Sequence, residues 1–74
     1  MPTFFFYINE ELVDPDDGGQ SFVDDEAAKV SAVRAFGEML RDEGVALLEG
    51  GSFRLLLKDE AGATVLELEA RAKN

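Results

Sequence analysis

Cysteine and histidine are both absent from the 74 residues. Without thiols there is no disulfide framework, no thiolate metal site and no cysteine nucleophile. Without imidazole there is no Ser-His-Asp relay and no ordinary histidine acid–base pair. Basic side chains are few: 7 Lys and Arg stand against 16 Asp and Glu, a formal charge of −9. Phosphate binding needs a cationic face that releases counterions, so this balance argues against nucleic acid as the main partner. It argues equally against anionic membrane surfaces. Long apolar runs are missing too. The run Phe4-Phe5-Phe6-Tyr7-Ile8 is far shorter than a membrane span or a signal core, and no basic segment precedes it. A cytoplasmic setting is expected, and the lack of cysteine is compatible with a reducing compartment.

What is present is apolar enough to fold. Hydrophobic residues make up 46% of the chain, with 6 Phe and 1 Tyr, which is too many for a disordered segment. The length allows one domain, residues 1–74, near the lower limit of what folds unaided. Thr3 to Asn9 reads as a strand, with Phe4, Phe6 and Ile8 on one face and Phe5 and Tyr7 on the other. Glu10 to Val13 either extends that strand or is loop. Asp14-Pro15-Asp16-Asp17-Gly18-Gly19 is turn chemistry, followed by a short returning strand over Gln20 to Val23 with Phe22 inward.

Asp24 has the character of a helix N-cap, with Asp25 and Glu26 in the first turn. The helix is expected from Asp25 to about Glu43. At about 100° per residue, Val30, Val33, Phe36, Gly37 and Leu40 share an apolar wedge with Ala32 at its edge, and Lys29 intrudes on it. Gly37 on that wedge predicts a close approach of helix backbone to sheet. Gly44 suits a left-handed helix stop with Val45 packing back on Leu40; the alternative end lies at Gly50-Gly51. Ser52 to Lys58 is a third strand, with Phe53, Leu55 and Leu57 inward. Asp59-Glu60-Ala61-Gly62 closes a hairpin, and Ala63 to Glu69 is the fourth strand, with Leu66 and Leu68 inward and Val65, Glu67 and Glu69 outward. The expected register sets Leu55 opposite Leu66, Phe53 opposite Leu68, Leu56 opposite Val65 and Arg54 opposite Glu67. Ala70 to Asn74 are expected to fray. The fold class is α+β in the order β-β-α-β-β: a four-stranded antiparallel sheet, strand order 2-1-3-4, with one helix on one face.

Several segments together resemble a known family. They are Met1-Pro2-Thr3-Phe4-Phe5-Phe6, the turn Asp16-Asp17-Gly18, the helix opening Asp24-Asp25-Glu26-Ala27-Ala28 and the hairpin Lys58-Asp59-Glu60-Ala61-Gly62. In order and spacing they resemble a family of small alphaproteobacterial proteins catalogued only as a domain of unknown function. The chain departs from that pattern at Tyr7 and at Phe22-Val23. The resemblance implies the fold and a bacterial cytoplasmic setting, and implies no activity. A looser likeness joins the sheet-and-helix plan to the N-terminal domains of HicB-type antitoxins, whose Pro- and Gly-rich segment before the helix is absent here. That likeness is one of fold, which does not carry function.

Candidate chemistry is sparse. Asp14, Asp16 and Asp17 with Asp24 and Asp25 have hard oxygen ligands for Ca²⁺ or Mg²⁺, but Gly18 and Asp25 stand where an EF-hand loop needs a ligand and a Glu. The ordinary reading is a solvated turn and an N-cap, with no metal and no cofactor. Glu10, Glu11, Glu60, Lys29 and Lys58 supply carboxylates and amines, yet none is set at useful spacing from the hydroxyls of Thr3, Ser21, Ser31, Ser52 or Thr64. A chain this small is also expected to lack a cleft of the usual ~300 Å³ or more. The expectation is therefore not an enzyme. The sharper signal is the outward sheet face, where Phe5, Tyr7, Leu56 and Val65 form an apolar patch with Arg54 and Lys58, Glu67 and Glu69 at its rim. Burying such side chains at ~25 cal/mol per Å² contributes several kcal/mol before association costs. The expected partner is a second copy of the chain, as a homodimer, or another protein, in the alternative a basic one neutralised as by an antitoxin; neither nucleic acid nor membrane is expected.

Overall fold

The aromatic run near the start of the chain becomes the centre of the sheet. The computed structural model of the protein describes residues 1–13 and 18–73; of the turn expected over Asp14 to Gly19, Asp14 to Asp17 lie outside them, and Gly18 and Gly19 are both left-handed. The elements are β1 (Thr3–Ile8), β2 (Glu11–Leu12), β3 (Gln20–Ser21), α1 (Asp25–Glu43), a 3-10 helix (Gly44–Glu49), β4 (Ser52–Asp59) and β5 (Thr64–Arg71). All pairings are antiparallel, in the order β2-β1-β4-β5, with β3 also paired to β1. The fold is α+β with the expected strand order, and the ambiguous stretch after Ile8 supplies a fifth strand.

That extra strand returns through Asn9 and Glu10, whose φ values of +49° and +72° are both left-handed. A two-residue hairpin loop demands this pair of conformations, usually with glycine in it. Here Asn9 compensates by binding β4: its N–H donates to the Arg54 carbonyl at 2.9 Å, and its Oδ1 accepts the Arg54 N–H at 3.1 Å. On the other half of β1, Thr3 faces Ser21 and Phe4 faces Gln20. Phe22 then turns under the sheet, edge-on to Phe4 at 5.9 Å and to Phe6 at 6.2 Å between ring centroids.

The helix begins where the cap residue dictates. Asp24 is extended (φ −160°), and its carboxylate accepts the Ala27 N–H at 2.8 Å. α1 ends at Glu43 as expected, but the cap at Gly44 differs. Gly44 stays right-handed (φ −62°), donates to the Leu40 carbonyl, and leads into the 3-10 turn. The left-handed stop falls to Gly50 (φ +91°), and Val45 stays 78% exposed instead of packing on Leu40. Because Gly44 keeps its helical hydrogen bond, the chain has no reason to reverse there.

The buried face of α1 is turned by about one residue from the expected wedge, roughly 100°. Ala28, Ala32 and Phe36 are buried, with Met39 and Leu40 packed beside them. Val30 and Val33 stay 44% and 55% exposed, and a Cβ on Gly37 would meet nothing within 4 Å. The close approach is made by the two alanines, so the predicted role of Gly37 is corrected. Small side chains let the helix settle on Phe4, Leu55 and Leu57, which are at most 1% exposed. The larger valines are left on the flank. Among the described residues no polar side chain is buried, and no helix is long and apolar enough to cross a membrane.

The β4–β5 register is offset by two residues from the expected one. Leu55 faces Leu68, Leu57 faces Leu66, Phe53 faces Ala70, Leu56 faces Glu67 and Arg54 faces Glu69. An even offset keeps every inward residue inward. Its cause is local. The Asp59 carboxylate accepts the N–H groups of both Ala61 (3.0 Å) and Ala63 (2.9 Å), which widens the loop. Gly62 takes the expected left-handed conformation (φ +84°). The ladder then absorbs one extra residue, Val65, between the pairs Lys58–Thr64 and Leu57–Leu66. β5 continues through Arg71, past the point where fraying was expected, because Ala70 packs against the core cluster.

Candidate functional site

Period-two alternation sends Phe4, Phe6 and Ile8 under α1, and therefore sends Phe5 and Tyr7 to the opposite face. β4 does the same with Leu55 and Leu57 against Arg54, Leu56 and Lys58. The face away from the helix is open. Tyr7 lies at its middle, with Leu12 of β2 opposite on one side and Leu56 of β4 opposite on the other. These side chains, with Phe5, are half-buried. Phe5 faces Lys58 rather than Leu56, so Phe5 and Leu56 meet on the diagonal. Leu12 belongs to this surface and was not singled out from sequence. A two-residue strand has too little alternation to read, and only its pairing with Tyr7 reveals its face.

Charged groups frame the patch. The Lys58 ammonium sits 4.9 Å from the centroid of the Tyr7 ring, a cation–π contact. Arg54 bridges two carboxylates, Glu10 at 2.6 Å and Glu67 at 3.6 Å. The Arg54–Glu67 pair expected from sequence thus forms, but across a diagonal, since Glu69 is the residue directly opposite. Exposed pairs of this kind contribute about 0–1 kcal/mol each. Their effect here is to fix the guanidinium over the sheet rather than to add much stability. At the other end of β1, Gly19 (φ +91°) presses on Phe5: a Cβ there would lie 2.7 Å from Thr3 Cγ2 and 2.8 Å from Phe5 Cε1.

Of the residues predicted for this surface, Phe5, Tyr7, Leu56, Arg54 and Lys58 share the open face. Val65 does not. Displaced by the bulge, it packs against the core cluster, and its predicted place in the patch is corrected. Asp24 serves as a cap, while Asp14, Asp16 and Asp17 lie outside the described residues. Among the described residues no three carboxylates converge as a metal site would require.

The expectation that so small a chain has no cleft is also corrected. A groove of about 330 Å³ opens between α1 and the β1 side, lined by Phe6, Ile8, Val13, Ala35 and Met39, with Gln20 and Ser31 as its polar groups. A second hollow of about 320 Å³ lies between Val30 and Val33 of α1 and Leu66 of β5, flanked by Glu26, Lys29 and Arg34. They arise because α1 rests over β4 and β5 and its narrow alanine contact leaves both flanks open. No titratable side chain appears among the described lining residues of the first groove.

Comparison with curated proteins finds no match, and comparison with solved structures finds none. The family described as a domain of unknown function (DUF6894) matches residues 3–71, from the first residue of β1 to the last of β5, and the chain belongs to that family.

Proposed function

We propose that this chain is a non-enzymatic protein-interaction domain whose contact surface is the open sheet face. The observation that carries this reading is the asymmetry of the sheet. One face lies under α1, while the other carries Phe5, Tyr7, Leu12 and Leu56, with the charged groups of Arg54, Lys58, Glu10 and Glu67 at its rim. Apolar clusters with a polar rim mark partner surfaces more often than they occur idly. Arg54 and Lys58 form that rim, held in place by Glu10, Glu67 and Tyr7. The charge of −9 favours a basic protein partner at long range. A cytoplasmic setting is part of the same proposal. The test is capture of a basic protein on the immobilised chain at low salt. Phe5→Glu and Leu56→Glu each abolish it without changing the melting temperature by more than a few degrees, and Val33→Glu leaves it intact. Capture that survives both face substitutions, or no basic protein retained at all, overturns the proposal.

Self-association through the same face is the second reading. It is favoured by a charge balance within the rim, Arg54 and Lys58 against Glu10 and Glu67, which spares a second copy the repulsion it meets elsewhere. Sedimentation at two concentrations decides it: an assembly that Phe5→Glu and Leu56→Glu do not weaken removes this reading.

A further inference from the structure

We infer that the outer edge of β5 pairs with the same edge of a second copy, antiparallel and two-fold about Ala70, to give a dimer with one continuous sheet. This does not depend on the open face being a contact surface. Its first support is the difference between the two sheet edges. The outer side of β1 is covered by β2 and β3, whereas β5, 8 residues long, ends the sheet with no described strand beyond it. Soluble proteins blunt such edges with proline, inward charges, bulges or charged side chains, and the charges of β5, Glu67, Glu69 and Arg71, are of both signs, so they can pair as well as repel. Between Thr64 and Arg71 there is no Pro or Gly, the helix-side positions are Leu66, Leu68 and Ala70, and the one bulge lies at the start.

The direction of the free backbone groups follows from the ladder. Arg54 turns both its N–H and its carbonyl to Asn9, at the end of β1. Alternation then turns Phe53, Leu55 and Leu57 toward β5, in agreement with the Asp59 N–H donating to the Ala63 carbonyl at 3.0 Å. Their partners Ala70, Leu68 and Leu66 therefore spend their groups on β4, and Glu67, Glu69 and Arg71 offer theirs to the open edge.

Charge selects the register. Glu67, Glu69, Arg71 and Lys73 follow one another at every second position. A two-fold axis at Ala70 sets Glu69 opposite Arg71 of the second copy and Glu67 opposite Lys73, so each acid meets a base. An axis at Glu67, Glu69 or Arg71 sets that residue on itself, one at Leu68 opposes Glu67 to Glu69, and one at Leu66 draws the bulged Val65 into the ladder. The axis at Ala70 also puts a small residue at a non-hydrogen-bonded pair, where strands approach most closely.

The helix supplies an independent observation. α1 lies over β4 and β5, so joining two β5 edges sets the two helix axes about two strand spacings apart, ~10 Å. That is the ordinary helix packing distance of ~8–10 Å. The side of α1 turned to the seam is the side that carries Val30, Val33 and Gly37, exposed in the single chain. The absence of cysteine makes the test clean. Ala70→Cys places one thiol on the axis, where opposed Cα atoms lie ~4.5 Å apart, within disulfide range. Mild oxidation is expected to double the 8.1 kDa mass rapidly, while Ala61→Cys in the hairpin loop links only slowly. Arg71→Glu and Glu69→Arg are each expected to be monomeric by sedimentation, and an equal mixture of the two to form a heterodimer at twice the chain mass. Phe5→Glu leaves the dimer intact, which separates this edge from the open face. A wild-type chain that stays at 8.1 kDa up to millimolar concentration, or equal linking at Ala70→Cys and Ala61→Cys, overturns the inference.

Discussion

The two faces of this sheet are built from the same three long strands and the same alternation, yet they are held by different means. Under α1, Phe4, Leu55 and Leu57 are sealed among hydrocarbon, against Ala28, Ala32 and Phe36. On the other side, Tyr7 and Leu56 are only half-buried, with the Lys58 ammonium over the Tyr7 ring and Arg54 clamped between Glu10 and Glu67. The first arrangement derives its stability from area removed from water; the second gains little from each contact and leaves its apolar centre within reach of another surface. Position within the alternation, not residue type, decides which role a leucine takes.

The adjacent pair Leu56 and Leu57 gives the largest contrast. Leu57→Ala is expected to cost ~2–5 kcal/mol, because it opens a cavity in a fully packed site. Leu56→Ala costs less than half of that, and chemical denaturation of the two variants side by side checks the ratio. Next comes Gly19→Ala, at ~1–3 kcal/mol: the backbone there is left-handed, and the added methyl meets the Phe4 carbonyl at 2.9 Å as well as two side chains. A melting curve reads the loss, and a change in the near-ultraviolet dichroism reports movement of Phe5. Gly37→Ala has the opposite sign. Nothing crowds that position in the single chain, so helix propensity alone predicts about 1 kcal/mol of added stability. A loss instead indicates that the outer side of the roof is occupied. The smallest effect is expected for Lys58→Ala, ~0.5–1 kcal/mol for an exposed cation–π contact, with a shift in Tyr7 fluorescence as its signature.

What could be read from residue order was the plan: which segments are strands, where α1 begins and ends, and which faces of β1 and β4 turn inward. These follow from period-two patterns in strands long enough to display them and from a cap whose chemistry is local. Four features did not follow from residue order. The helix face was misplaced because hydrophobicity gives weight to valines, whereas close packing on a sheet rewards alanines. The hairpin register was misplaced because the Asp59 side chain, not the glycine, sets the width of the loop. Leu12 escaped notice because its turn uses Asn9 and Glu10 where glycine would have announced it. Val65 was assigned outward by an alternation that a single inserted residue interrupts. In the candidate surface, therefore, the β1 and β4 contributions were legible and those of the two edges were not.

The central place of β1 has a bearing on synthesis. Phe4 pairs with Asp59 and Ile8 with Leu55, so the greasiest stretch of the chain is made well ahead of the long strand it pairs with. At translation rates of ~5–20 residues per second, that interval is roughly 3–10 s. Throughout it, a segment rich in β-forming aromatics and free of charge has only the two-residue strands β2 and β3 to pair with, and such a stretch nucleates aggregates. The acidic stretch that follows it, from Glu10 to Asp17, gives the nascent chain a repulsive neighbour during that wait.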